Sequence, residues 1–272
     1  MEKESGLPLR SISEAFCKNF LFFFTDIDDT LTTRGKIPPQ SYSALWKLFE
    51  EGIKVIPVTG RPAGWCDHIA RMWPVEAIIG ENGAFYYSYD RRKRAMKRRY
   101  LFSKTQAEER NHKLEKIKNR VLQEIPGSMV AEDQDFRIAD LAIDYREDVN
   151  PLSPQQVEKI CRIMEEEGAQ YKVSSIHVNC WFGEYNKVEC LKVFLKEYTG
   201  MELPELQDKV LFIGDSPNDE PMFKELKNTV AVANIKEFLP NLKFHPKYLT
   251  DLPTSEGFCE TIDTVLQKRT KK

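Results

Sequence analysis

Phe22-Phe23-Phe24-Thr25-Asp26-Ile27-Asp28-Asp29-Thr30-Leu31-Thr32 is the stretch on which the fold turns. An apolar run leads straight into three closely spaced carboxylates. A strand can bury Leu21 to Phe24 between covering helices, but it cannot bury unpaired acids without large cost. Asp26, Asp28 and Asp29 are therefore expected where the strand ends, in a polar crevice that bears a cation. In open parallel α/β sheets, ligands bind in the crevice outside the carboxyl ends of the strands. Crowded carboxylates offer hard oxygen ligands, which suit Mg²⁺.

Working outward, the sequence alternates strands and helices. Residues 11–18 read as a short leading helix and 20–25 as the first strand. Tyr42, Leu45, Trp46 and Phe49 fall at helical spacing, and Gly52 stops that helix. Residues 53–58 form a second buried strand, ending in Thr59-Gly60-Arg61-Pro62. A helix with Trp65, Ile69 and Met72 on one face follows. A third strand over 77–79 runs into Gly80-Glu81-Asn82-Gly83. This rhythm predicts a parallel sheet with right-handed crossovers.

The rhythm then changes. Residues 84–89 and 95–102 read as a hairpin around a basic turn, and 105–124 as a charged helix. Residues 136–145 alternate like a half-exposed strand, with Ile138, Leu141 and Ile143 apolar. Ser153-Pro154 opens a helix that Gly168 ends. Residues 171–174 and 176–182 read as two further strands. The parallel rhythm returns with a helix over 187–198, a strand over 210–213, a second acidic strand end at Gly214-Asp215-Ser216-Pro217-Asn218-Asp219, a short helix over 221–226, a strand over 229–233 and a closing helix over 257–266. The expected fold class is α/β: a parallel-sheet core from residues 1–85 and 186–272, with an α+β domain inserted over 86–185.

Composition narrows the function. A chain of 272 residues with 41% hydrophobic and 30% charged residues fits a soluble globular enzyme. Its formal net charge of −2 gives no overall signal for nucleic acid or membrane. Cys17, Cys66, Cys161, Cys180, Cys190 and Cys259 are scattered without a C-x-x-C pair, so neither a zinc site nor a disulfide framework is expected. Reduced thiols and a cytoplasmic setting are the default. The start, Met1-Glu2-Lys3-Glu4, is charged, and the apolar run after it is too short for a signal segment or a membrane span. The basic run from Arg91 to Arg99 reads either as an anion-attracting patch or, preferably, as a solvated turn.

Four places line up in order, each at a strand end or helix start. They are Asp26-Ile27-Asp28, Val58-Thr59-Gly60-Arg61, Lys187, and Gly214-Asp215 through Asn218-Asp219. Together they resemble the haloacid dehalogenase (HAD) superfamily of phosphotransferases. Asp26, Asp28 and Thr30 meet its D-x-D-x-T motif, and Gly214, Asp215, Asn218 and Asp219 its G-D-x-x-N-D motif. The placement and size of the inserted block resemble the subclass with a large α/β cap. That subclass includes the Cof-type phosphatases and the sucrose- and trehalose-6-phosphate phosphatases. Two positions depart from many relatives, which carry glycine at Asp29 and directly after Lys187.

The resemblance implies a Rossmann-like core with a cap, and a site whose roles the residue chemistry supports. Asp26 can attack phosphorus and form an acyl phosphate. Asp28 can protonate the leaving oxygen and later take a proton from water. Thr59 and Lys187 suit phosphate oxygens. Asp26, the main-chain carbonyl of Asp28, and Asp215 are expected to hold Mg²⁺, with Asp219 and Asn218 close by. Arg61 either binds phosphate or pairs with an acid, and Asn82 adds a polar group beside it. Alternation places His177, Asn179 and Trp181 on one strand face, where they either read sugar hydroxyls or pack on the cap helices.

The expected activity is a Mg²⁺-dependent phosphomonoester hydrolase acting on a phosphorylated sugar or sugar derivative, with neither nucleic acid nor membrane as partner. A phosphosugar mutase resembling phosphomannomutase, or a binding protein that kept the fold, are the alternatives. Activation by a sugar bisphosphate would reveal the mutase.

Overall fold

A computed structural model describes residues 6–174 and 176–270. The charged start at Met1–Glu4 lies outside the described residues. The core elements are β1 (Leu7–Pro8), α1 (Glu14–Asn19), β2 (Phe22–Thr25), α2 (Pro39–Glu50), β3 (Lys54–Pro57), α3 (Ala63–Met72) and β4 (Ile78–Gly80). A hairpin follows, β5 (Phe85–Asp90) and β6 (Ala95–Tyr100). Next come α4 (Lys104–Glu124), β7 (Met129–Val130), β8 (Leu141–Asp144), α5 (Pro154–Glu166), β9 (Gln170–Val173) and β10 (His177–Trp181). The chain closes with α6 (Lys187–Thr199), α7 (Leu203–Leu206), β11 (Val210–Gly214), α8 (Glu220–Glu225), β12 (Thr229–Ala231), β13 (Tyr248–Leu249) and α9 (Thr254–Thr270).

The phenylalanine run becomes a central strand of a six-stranded sheet ordered β1-β13-β12-β11-β2-β3. Every pairing in that sheet is parallel. Period-two alternation sends Phe23 to one face and its neighbours to the other. Phe23 meets Phe258 of α9 edge-on with ring centroids 6.0 Å apart, and Phe24 meets Phe194 of α6 at 6.2 Å. Helices α1, α2 and α9 cover the first face, and α6, α7 and α8 the second. Burial on both faces explains why β2 and β11 read as continuous apolar runs.

Two helices bury a different face from the one their largest side chains suggest. In α2 the buried residues are Ser41, Ala44, Leu45 and Leu48, while Trp46 and Phe49 are exposed. In α3 they are Ala63, Cys66, Ile69 and Ala70, while Trp65 and Met72 are exposed. Small side chains let the helices lie close on the sheet. The expected third parallel strand, β4, touches the main sheet through one parallel bridge, Val58 to Ile79. It pairs instead antiparallel with the hairpin, in a three-stranded sheet β4-β5-β6.

Between the hairpin and α6 lies an antiparallel sheet ordered β7-β8-β10-β9, packed against α4 and α5. The strand expected over 136–145 is shorter and fully buried, Leu141–Asp144. Its first half is lost for a visible reason. The backbone N–H groups of Ile138, Ala139 and Asp140 donate to the Glu81 carboxylate, at 2.6–3.2 Å, rather than to a ladder. The basic run divides: residues 91–94 are an exposed turn, while on β6 Lys97 and Arg99 contact Glu197 and Arg98 contacts Asp67. Among the described residues no helix is long and apolar enough to cross a membrane.

Candidate active site

The site is assembled where β2 and β11 end. Asp26 continues the β2 ladder by donating its N–H to the Ile213 carbonyl at 2.9 Å, so its side chain is aimed by the sheet. Asp215 follows β11 directly. Asp219, one turn later, accepts the Asp215 N–H at 3.0 Å. That return is possible because Gly214 has no side chain: a Cβ there would lie 2.3 Å from an Asp219 carboxylate oxygen. Carboxylate oxygens of Asp26, Asp215 and Asp219 lie within 4.8 Å of one another, all buried.

Lys187 opens α6 and enters this acidic group. Its ammonium donates to Asp26 at 2.9 Å, to Asp219 at 3.0 Å and to the Asn218 side chain at 3.4 Å. Thr30 donates to Asp215 at 3.3 Å, and the Asn234 amide donates to its other oxygen at 3.2 Å. Burial raises the Asp26 carboxyl to about 7, against the pull of Lys187 and helped by Asp219 and Asp28. Burial, with Asp26 and Asp219 adding repulsion, pushes Asp215 well above the usual carboxylate range. One buried ammonium among three carboxylates leaves excess negative charge. The donors are hard oxygens, so the group fits a Mg²⁺ ion through Asp26, Asp215 and Asp219.

Asp28 stands apart from that group. Arg61 donates to both of its oxygens, at 2.9–3.2 Å. The same guanidinium reaches Glu147, in the loop after β8, at 3.3 Å. The other oxygen of Glu147 lies 3.0 Å from Nε2 of His177. The His177 contact and Arg61 hold the Glu147 carboxyl at about 2, against its partial burial. A chain of polar contacts, Asp28–Arg61–Glu147–His177, thus links the core to the antiparallel sheet across a crevice of about 50 Å³.

A sequence model of haloacid dehalogenase-like hydrolases matches residues 23–176 and 153–262. The chain belongs to the haloacid dehalogenase-like hydrolases. No curated protein sequence is significantly similar to it. Solved structures of similar fold include Thermoplasma acidophilum 0175, at 19% identity and a TM-score of 0.69, covering 91% of this chain and 99% of that one. A phosphatase of the haloalkanoate (HAD) enzyme superfamily from Bacteroides thetaiotaomicron is 17% identical, with a TM-score of 0.60 over 91% and 96%. The sucrose-phosphatase of Synechocystis sp. PCC6803, solved with sucrose and phosphate, is 15% identical, with a TM-score of 0.61 over 91% and 98%.

In this HAD-like hydrolase the crevice is lined by Asp26, Asp28, Arg61, Asn82, Asp215 and Asn218 of the core, faced by His177 and Asn179 of β10. Two expected residues are placed otherwise. The Thr59 hydroxyl is buried and accepts the Arg61 N–H at 3.0 Å, which caps its own turn. Trp181 stacks on Tyr185, rings 6.2 Å apart, and donates its indole N–H to the Tyr185 carbonyl at 3.2 Å. It packs with Ile27, Ala63 and Cys66 below the crevice. Asn82 is held in a left-handed conformation, φ 55°, and its amide nitrogen has no hydrogen-bond partner among the described residues.

Sequence reasoning missed Glu147, Glu81 and Arg137. Arg137 donates to the Gly60 carbonyl at 2.9 Å and pairs with Asp133 and Asp140, which ties the antiparallel sheet to the second motif. Glu81 lies inside Gly80-Glu81-Asn82-Gly83, where the sequence points to its neighbour Asn82. Glu147 lies in a polar loop with no local signature. Asp29 has φ 55°. This left-handed position suits glycine, and aspartate is among the few other residues that adopt it readily.

Proposed function

We propose that this HAD-like hydrolase is a Mg²⁺-dependent phosphomonoester hydrolase working through an aspartyl-phosphate on Asp26, with a phosphorylated sugar or sugar derivative as substrate, in the cytoplasm. The observation that carries the reading is Asp26 itself: a buried carboxylate at a strand end, 2.9 Å from Lys187, at the floor of a crevice. Bound Mg²⁺ would neutralise charge on the phosphoryl oxygens. Asp26 attacks phosphorus, forming an acyl-phosphate bond as the bond to the leaving oxygen breaks. Lys187 orients Asp26 and balances its charge. Asp28 gives a proton to the leaving oxygen and then takes one from the water that cleaves the acyl phosphate. Phosphoryl oxygens compete with Asp28 for Arg61, and that exchange frees Asp28 for proton transfer. His177 and Asn179 face the leaving group, and the solved sucrose-phosphatase supports a sugar there by likeness of fold.

The test is turnover of a generic aryl phosphate with and without Mg²⁺, by wild type and by Asp26→Asn. Mg²⁺-dependent turnover that Asp26→Asn abolishes supports the reading, as does a phosphate label trapped on the Asp26 peptide. Turnover that survives Asp26→Asn in a folded protein rejects it.

A further inference from the structure

Resting on that phosphatase reading, we propose that the leaving group of the natural substrate carries an anion of its own, a carboxylate or a second phosphate, and that Lys172 binds it. Three cations line the crevice outside the catalytic acidic group: Arg61, Arg137 and Lys172. Two are already balanced by carboxylates. Arg61 is shared between Asp28 and Glu147. Arg137 is paired with Asp133 and Asp140 and is buried. Lys172 lines the same crevice, is exposed, and has no carboxylate within ion-pairing distance among the described residues.

The register of the antiparallel sheet aims this lysine. Lys172 on β9 is the direct partner of Asn179 on β10. Direct partners project to the same face, and both line the crevice. His177 occupies the same face two residues from Asn179, with its Nε2 3.0 Å from Glu147. The wall facing Asp26 therefore presents one unspent positive charge beside a polar amide. A neutral polyol would leave this exposed lysine to water, whereas a carboxylate or phosphate on the leaving group would pair with it.

The experiment compares matched pairs: 3-phosphoglycerate with glycerol 3-phosphate, 6-phosphogluconate with glucose 6-phosphate, and fructose 1,6-bisphosphate with fructose 6-phosphate. The first two pairs test a carboxylate and the third a second phosphate. Wild type should favour the anionic member of at least one pair in kcat/KM by about ten- to a hundredfold, the scale of one charged hydrogen bond. Lys172→Met should erase most of that ratio through KM, and Lys172→Arg should restore much of it. Equal kcat/KM within every pair, or a preference that Lys172→Met leaves intact, overturns the proposal. An enzyme with no turnover of any phosphomonoester, aryl phosphate included, fails at the underlying phosphatase reading instead.

Discussion

Arg61 and Glu147 meet across the crevice, Nη1 of the arginine 3.3 Å from Oε1 of the glutamate. Arg61 belongs to the parallel core and Glu147 to the antiparallel sheet, so one ion pair spans the gap that substrate must enter. Arg61 is buried and stacks over Trp65, 4.6 Å from the ring centroid, which fixes the guanidinium plane.

Replacing Glu147 with Gln should therefore loosen this link. With its carboxyl held at about 2 when folded, against 4.5 unfolded, Glu147 stabilises the protein above pH 4.5. That contribution is lost as pH falls from 4.5 toward 2. Because Glu147 is partly exposed, solvent screening limits the effect to about 1 kcal/mol or less. The melting-temperature gap between wild type and Glu147→Gln should be present at pH 7 and close at acid pH. A gap that widens on acidification would exclude this role.

Asp26 has the opposite sign. Its folded carboxyl, raised to about 7 from 3.8, holds a proton more tightly than the unfolded chain does. Metal-free wild type should therefore lose stability, relative to Asp26→Asn, as pH rises from 3.8 to about 7. Mg²⁺ should restore the loss in wild type and do little for Asp26→Asn. Differential scanning calorimetry with chelator, and then with Mg²⁺, measures both arms. The same substitution should lower kcat by several orders of magnitude.

Asp215 anchors the acidic group through Thr30 and Asn234. Asp215→Ala should raise the Mg²⁺ concentration needed for half-maximal activity at least about tenfold, the scale of losing one charged ligand. Ca²⁺ should substitute poorly because its larger, looser shell misplaces the nucleophile. Full activity after exhaustive chelation would remove metal from the mechanism.

Trp181 is expected to behave as a packing residue. Trp181→Ala should cost about 3–5 kcal/mol of stability. It should lower kcat/KM for a sugar phosphate and an aryl phosphate to a similar extent. A loss confined to the sugar phosphate would mean that the ring contacts the leaving group after all.

Gly83 has φ 103°, and a Cβ there would lie 2.1 Å from the Asn186 carbonyl oxygen. Gly83→Ala should destabilise by about 2 kcal/mol or more, from left-handed strain plus the clash. Asp29→Gly, at a left-handed position that glycine adopts freely, should change the melting temperature little.

The core was legible because its signals are local. Phe22–Phe24 and Val210–Ile213 are apolar on both faces, and each stops at an acid. Asp26, Lys187, Asp215 and Asp219 converge because strand ends and a helix start bring them together. What failed was long-range. Nothing near residue 138 signals that its N–H will turn toward Glu81, 57 positions away. Nothing near Glu147 points to Arg61, 86 positions away. In α2 and α3 the largest side chains misled because the buried stripe mixes Leu45, Leu48 and Ile69 with small residues and leaves Trp46, Phe49, Trp65 and Met72 outside.

The contact between Gly83 and Asn186 has a consequence for the length of chain between them. The outgoing and returning strands of chain touch there, so the long segment between them is a loop whose base the core already closes. Lengthening such a loop adds closure entropy only slowly. A change of length away from the contacts of Glu81, Arg61 and Arg137 should therefore leave Asp26, Lys187 and Asp215 in their places.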